Sequence, residues 1–299
     1  MQKSISATTT NWPVNGLGIF VKAGGAVNLN LIACSFNGHV NPTNTDPSWC
    51  ADGILWCQNA YWGSNGIADG NWFAARNTIT NYGLEAIQWN SGPAAAVQNR
   101  FSTTFSTGST GALNHDLDSI STGPSGQAND LSFAFTGNIV MGGQQGLLSK
   151  PQICTADLLV SGNTFNLDLT LPVYADWPGA AVNEGWVDKL NVSGNTLIGG
   201  EQGICVQYAL TNAVILGNDF TAANLRSVDT EKMGGNAVGA IQNAQLIKNK
   251  LAGGDSFQLR APLPDGTHYF LLQNSYVTTN GTPAGLVTEP QSLPVHYQP

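Results

Sequence analysis

The sequence is short of charge. Only 10% of its 299 residues are Asp, Glu, Lys or Arg, well below the roughly one quarter usual in soluble domains. Solubility must then come from uncharged polar groups, and Gly, Asn, Ser and Thr recur along the whole chain. Lys and Arg number 11 against 19 Asp and Glu, a formal charge of -8. With no basic cluster to displace counterions from a phosphate backbone, nucleic acid is not an expected partner. No run of about 18 apolar residues occurs, so no membrane span is expected. The opening MQKSISATTTNW lacks the apolar middle of a signal peptide, and the chain as it stands carries no export signal. Cys34, Cys50, Cys57, Cys154 and Cys205 are odd in number and form no CxxC pair, which gives little basis for a zinc site. At least one thiol is expected to be free. Cys50 and Cys57 could close a small loop, or stand as single buried thiols filling the core.

What is present is enough apolar residue, 42%, to bury a core, and a repeated mark. VSGNT occurs at 160–164 and again at 192–196. Short apolar strands followed by Asn and another apolar residue recur with Asn77, Asn99, Asn138, Asn163, Asn195, Asn218, Asn249 and Asn274, and Cys34 holds the same place in LNLIACSF. Successive marks lie 43, 22, 39, 25, 32, 23, 31 and 25 residues apart. The short intervals define a unit of 22 to 25 residues, the longer ones are that unit with an insertion, and the first could be two units. Between marks falls a second strand-like segment, often opened by Gly: GLGIFVK, DGILWCQ, GLEAIQWN, GLLSK, GICVQY, SFQLR and AGLVTE.

Apolar residues alternate within these segments, as at Val214 and Leu216 or Ile204 and Val206, so each strand has one face to bury. One coil cannot bury that face alone. Coils stacked about 4.8 Å apart can, because each strand then pairs in parallel with its counterparts above and below. Gly and Asn suit the left-handed conformation of sharp corners, and an Asn at one corner of every coil can build a ladder of amide hydrogen bonds. Gly, Asn, Thr and Ser are poor helix formers, and no long 3.6-residue periodicity survives.

The pattern resembles the right-handed parallel β-helix superfamily, the fold of pectate lyases, polygalacturonases and many phage tailspikes. The fold expected is all-β: a right-handed parallel β-helix solenoid of about 9–11 coils with loop insertions, coils spanning about 14–288 and residues 289–299 forming an extended C-terminal tail. Little sequence precedes the first coil to cover the open end of the stack, so the chain could be a fragment, or be capped by another domain or subunit. The superfamily hosts lyases, hydrolases, epimerases, adhesins and tailspikes, so the resemblance implies no single activity.

Chemistry is then expected where the repeat is interrupted. Residues 46–90 hold Trp49, Trp56, Trp62, Trp72 and Trp89 with Tyr61 and Tyr82, together with Asp46, Asp52, Asp69 and Glu85. Aromatic faces stack on sugar rings, and neighbouring carboxylates can act as acid and base. Trp62, Trp72 and Tyr61, in a Gly- and Asn-rich stretch, are candidates to face a substrate. Trp56 and Trp89 could equally be core residues alternating inward with Ile54 and Ile87. Asp52 and Glu85, each opening a Gly-marked strand one or two coils apart, are candidates for the carboxylate pair of glycoside hydrolysis, with Asp69 beside them. A turn-forming role for any one of these Asp residues is the plainer alternative.

NHDLDS brings His115, Asp116 and Asp118 together, which could supply acid and base or part of a Ca²⁺ site. YADWPGAAVNEGWVDK adds Asp176, Trp177, Glu184, Trp186 and Asp188 as a candidate opposite wall of a groove. The NTD at 44–46 and ADGI at 51–54 are similar to the NTDGI stretch of polygalacturonase-like hydrolases, but Pro47 to Ala51 interrupt it, and that family's His-containing and Arg-x-Lys motifs are not found. β-Elimination would need a base and a cation beside the substrate carboxylate, and Lys22, Lys150 and Arg260 are widely separated. The reading is an extracellular or surface protein acting on a neutral polysaccharide or glycan, with no cofactor unless Ca²⁺. The rival is a noncatalytic glycan-binding or structural module, possible as a homo-oligomer such as a trimer.

Overall fold

The computed structural model describes residues 19–22, 27–37, 55–58, 70–81, 85–89, 94–103, 111–115, 132–143, 145–149, 155–167, 180–184, 187–206, 209–229, 232–233, 237–238, 240–252, 257–259, 268–276, 286–288 and 295–298. They are all-β, with no helix among them. The chain visits three ladders in turn, and apart from one small antiparallel pair (232–233 with 237–238) every pairing among them is parallel.

Sheet A holds Ile19–Lys22, Leu55–Gln58, Glu85–Trp89, Gly111–His115, Gln145–Ser149, Ala180–Glu184, the second half of Thr196–Val206, Ala223–Asp229, Phe257–Leu259 and Leu286–Thr288. Sheet B holds Val27–Ile32, Gly70–Ala75, Ala94–Val97, Ser132–Thr136, Thr155–Ser161, Val187–Ser193, Ala209–Leu216, Ala240–Ile247, His268–Leu272 and Val295–Gln298. The last of these falls in the stretch expected to be a surface tail, yet it pairs in register with His268–Leu272. Sheet C is made of strands of two or three residues, such as Ser35–Asn37, Thr78–Thr80, Arg100–Ser102 and Thr164–Asn166, and joins sheet A through Thr196–Val206. This is a parallel β-solenoid. The segments marked by an opening Gly in the sequence are strands of sheet A, and three strands without that recognition, 111–115, 180–184 and 223–229, belong with them.

Period-2 alternation fills the interior, though in strand 209–216 it is Ala213 and Ile215 that face inward, not Val214 and Leu216 as the sequence pattern suggests. Sheet C contributes Phe101, Val140, Phe165 and Phe220, sheet B contributes Phe135, Val160, Val192 and Ile215, and all are 0% exposed. Phe135 stacks between Phe101 and Phe165 with ring centroids 5.9 and 6.2 Å apart. Burying each ring contributes about 2–3 kcal/mol, and such near-parallel pairs about 1 kcal/mol more.

The corner between sheets B and C is the most regular part of the molecule. It uses two residues in every described coil: 33–34, 76–77, 98–99, 137–138, 162–163, 194–195, 217–218, 248–249 and 273–274. The first of the two has positive φ: Ala33, Arg76, Gln98, Gly137, Gly162, Gly194, Gly217, Lys248 and Gln273. The second is the Asn of the repeat, or Cys34. The left-handed bend therefore falls on the residue before the Asn, and the Asn is kept for its amide. Asn163 shows the arrangement. Its N–H and Nδ2 both donate to Asn195 Oδ1 at 2.9 Å, and Nδ2 also donates to the Phe135 carbonyl at 2.8 Å. Its Oδ1 accepts from Asn138 N–H at 2.8 Å and Asn138 Nδ2 at 3.1 Å. All four hydrogen-bonding positions of the amide are used, so the side chain can be 1% exposed without leaving an orphan.

The ladder also settles the first interval of the repeat. Cys34 N–H donates directly to Asn77 Oδ1 at 2.9 Å, so 34 to 77 is one coil with an insertion and not two units. Cys34 is a half-buried free thiol whose Sγ lies 3.5 Å from the Ile32 carbonyl oxygen.

Candidate functional site

Inserted chain is distributed unequally among the corners. While the B-to-C corner keeps two residues throughout, segments 38–54, 103–110 and 167–179 lead from sheet C into sheet A, and 59–69 and 116–131 lead from sheet A into sheet B. Every long segment between Asn37 and Ala180 therefore attaches to one edge or the other of sheet A. Additions at both ends of a sheet's strands can wall a groove over that sheet.

Sheet A has two parities. Ile87, Leu147, Ile204 and Val228 are in register from strand to strand and at most 1% exposed, so that column faces the core. The alternate column reads Trp56, Gln88 and Asn114 on adjacent strands, and Asn183, Asp229 and Gln258 further along. Leu148, Cys205 and Val287 stand between and beyond these residues in the same column, so the parity opposite the core column is mixed, with its aromatic and amide members side by side over strands 55–58, 85–89 and 111–115.

Seven of the sequence candidates, Asp52, Asp69, Asp116, Asp118, Tyr61, Trp62 and Trp177, lie outside the described residues. All seven belong by chain position to the segments flanking sheet A. Glu85 and Trp89 lie on sheet A itself, at the first and last positions of the strand 85–89. Glu85 is in register with Gly111, and Trp89 with Cys57 and His115. The strand 85–89 pairs directly with 55–58, whose first residue is three beyond Asp52, so the two carboxylates attach to neighbouring strands. Trp72 sits in a sheet B strand, in register with Leu29 and Ala94 and on the parity of buried Ala74, where sequence reasoning had put it in an insertion. Trp56 and Trp89 fall on opposite parities: Trp89, like Glu85, shares the parity of Ile87 in the core column, and Trp56 is on the alternate one. Strand 180–184, expected as the opposite wall of a groove, is a regular member of sheet A.

Sequence reasoning missed Gln88, Asn114, Asn183 and Gln258. For Gln88 and Gln258 a signal was available, since each follows the central Ile or Phe of a strand marked in the sequence; Asn114 and Asn183 lie in strands that carried no such mark.

Among the described residues the one resolved shift in acidity lies away from sheet A, on sheet C. Partial burial pushes the Asp219 carboxyl up, but the Thr221 hydroxyl at 2.7 Å, the Thr221 amide and Lys250 at 3.3 Å outweigh it and hold the group below its ordinary 3.8. That is a carboxylate clasped in its charged form, the opposite of what a proton donor needs. No group of three or more His, Cys, Asp and Glu able to hold a metal occurs among the described residues, and no helix there is long and apolar enough to cross a membrane. Comparison with known protein families, with curated proteins and with solved structures gives no match.

Proposed function

We propose that this chain is a right-handed parallel β-helix of about 9–11 coils that is carbohydrate-active and extracellular or surface-borne, and that it cleaves a neutral polysaccharide in a Trp-lined groove over sheet A. The handedness follows the rule that strand–crossover–strand connections in parallel sheets are right-handed in about 98% of cases. The observation that supports the site is the confinement of long segments to the two edges of sheet A, the segments to which Asp52, Tyr61, Trp62, Asp69, Asp116, Asp118 and Trp177 belong by chain position, with Glu85 at the first position of a sheet A strand. In this reading Asp52 and Glu85 form the carboxylate pair, and Tyr61, Trp62 and Trp177 supply sugar-stacking surfaces from the walls. Hydrolysis is preferred to β-elimination because the segments near the groove carry many carboxylates and few cations. A calcium ion at Asp116 and Asp118 would be the one inorganic component.

A second reading, a noncatalytic glycan-binding or assembly module, draws on the outer face of sheet B, where Ile32 is 46% exposed, Leu216 39%, and Phe73 and Leu159 37%. Exposed apolar residues on one flat face suit contact with neighbouring subunits. Incubation with a panel of polysaccharides, reading both reducing ends and unsaturated products, separates the two. Hydrolysis products that fall about a hundredfold or more in Asp52→Asn and Glu85→Gln support the first reading. Glycan binding with no product on any substrate supports the second, and activity unchanged in both variants removes the site assignment.

A further inference from the structure

Positive charge is scarce on this chain, yet two arginines stand together on the face remote from sheet A. Arg76 is the left-handed residue of its B-to-C corner, with φ 57°, and Arg100 opens the next strand of sheet C in register with Thr78. The backbone ties them: Arg76 N–H donates to the Val97 carbonyl at 3.0 Å, and Arg100 N–H to the Asn77 carbonyl at 2.8 Å. One strand spacing and two residues along the chain put their Cα positions about 8 Å apart. Both side chains are exposed, as are Gln98 and Thr78 beside them. Among the described residues the ion pairs are Lys189–Asp157 and Lys250–Asp219, so neither arginine has a carboxylate partner there. The nearest carboxylate in the Arg100 column, Asp219, is four strands on, roughly 19 Å, beyond the range of screened attraction, and is already held by Lys250.

Arg76 holds a left-handed corner position where four coils have Gly137, Gly162, Gly194 and Gly217, and the others Ala33, Gln98, Lys248 and Gln273. We propose that Arg76 and Arg100 form a binding site for a tetrahedral oxyanion, a phosphate or sulfate group, either free or carried as an ester. Two long guanidiniums rooted at this separation can converge on one anion, with the Gln98 amide and Thr78 hydroxyl as further donors.

The test is an NMR titration following the arginine Nε–H signals, with inorganic phosphate and inorganic sulfate, then with a phosphate monoester and a sulfated monosaccharide. Both arginine signals should move together and saturate, and Arg76→Gln or Arg100→Gln should each weaken binding about tenfold or more. Arg76→Gly should lose binding equally while keeping thermal stability, because glycine relieves the strained φ. Lys189→Gln, on sheet B, should bind as the unaltered chain does. Tighter binding of the esters assigns the anion to a larger ligand, and equal binding assigns it to the free ion. Shifts that grow without saturating, or that sodium chloride reproduces, overturn the site. So does equal loss of binding in Lys189→Gln.

Discussion

Two kinds of corner turn this chain, and they obey opposite rules. The B-to-C corner is two residues long in each described coil, bends on one left-handed residue and locks with one amide. The corners on either side of sheet A range from no linking residue, within Thr196–Val206, to the whole of 38–54. The difference follows from what each does with its polar groups. At the B-to-C corner the Asn amides from Asn77 to Asn249 are buried and hydrogen-bonded to the coils on both sides, so an added residue would interrupt the ladder. Among the described residues no such ladder runs at the edges of sheet A, and loop-closure entropy grows only by about 0.6 kcal/mol per doubling of length. The rigid corner fixes the stack; the variable ones are free to carry chemistry.

The comparison breaks most sharply at the centre of the ladder. Asn163→Ala removes the acceptor of the Asn138 N–H and Nδ2, the donor to the Phe135 carbonyl and one donor to Asn195 Oδ1. At about 1–3 kcal/mol for each buried orphan, the loss should be about 4 kcal/mol or more, a large share of a domain's stability. Urea unfolding measures it. A loss below about 1 kcal/mol would mean that water or backbone shifts replace the amide, and the rule for this corner would fail.

Glycines at the two kinds of corner come next. Gly142, leaving sheet C for sheet A, has φ 78°, and a Cβ there would overlap the Thr103 carbonyl oxygen, which is fixed backbone. Gly194, at the ladder corner, has φ 61° and nothing within 4 Å of where a Cβ would lie. Gly194→Ala should therefore cost only the left-handed penalty, about 1–2 kcal/mol, whereas Gly142→Ala should cost that plus a backbone displacement. Melting temperatures of the two variants rank them, and the reverse order would show that the sheet A corner yields more easily than its packing implies.

How much of this was legible in the sequence depends on length scale. Strands such as LLVSGNTF can be read because a buried alternation and the Asn that follows it are both local. Sheet C cannot be read separately, since pieces such as Thr164–Asn166 are too short to show a period. Without the third ladder the corner from which an insertion leaves is not legible, so the sequence pattern points to an insertion for Trp72 and a groove wall for 180–184. The left-handed residue was misplaced for a related reason. Arg76, Gln98 and Lys248 carry no intrinsic preference for positive φ, and only the stacked backbone holds them there. The candidate carboxylates were legible as residue types, and the strand pairing 55–58 with 85–89 adds their neighbourhood.

The smallest effect tests the ladder by adding to it. Cys34 fills the Asn place in the first rung: its N–H donates to Asn77 Oδ1 at 2.9 Å, but its thiol cannot supply the second donor that the other rungs give. Asn77 Oδ1 accepts one bond from that side where Asn163 Oδ1 accepts two. Cys34→Asn would place an Nδ2 in reach of the spare lone pair, while its own Oδ1, half-exposed, could be met by water. The gain should be a single net hydrogen bond, about 1 kcal/mol, seen as a higher urea midpoint at unchanged slope. If the midpoint does not rise, the stability of this corner comes from the backbone bend that Ala33 already makes, and the amide serves to avoid orphans without adding strength. If it rises, the ladder is additive to its last rung, and the first coil is held less firmly than the coils behind it by the one bond that Cys34 does not make.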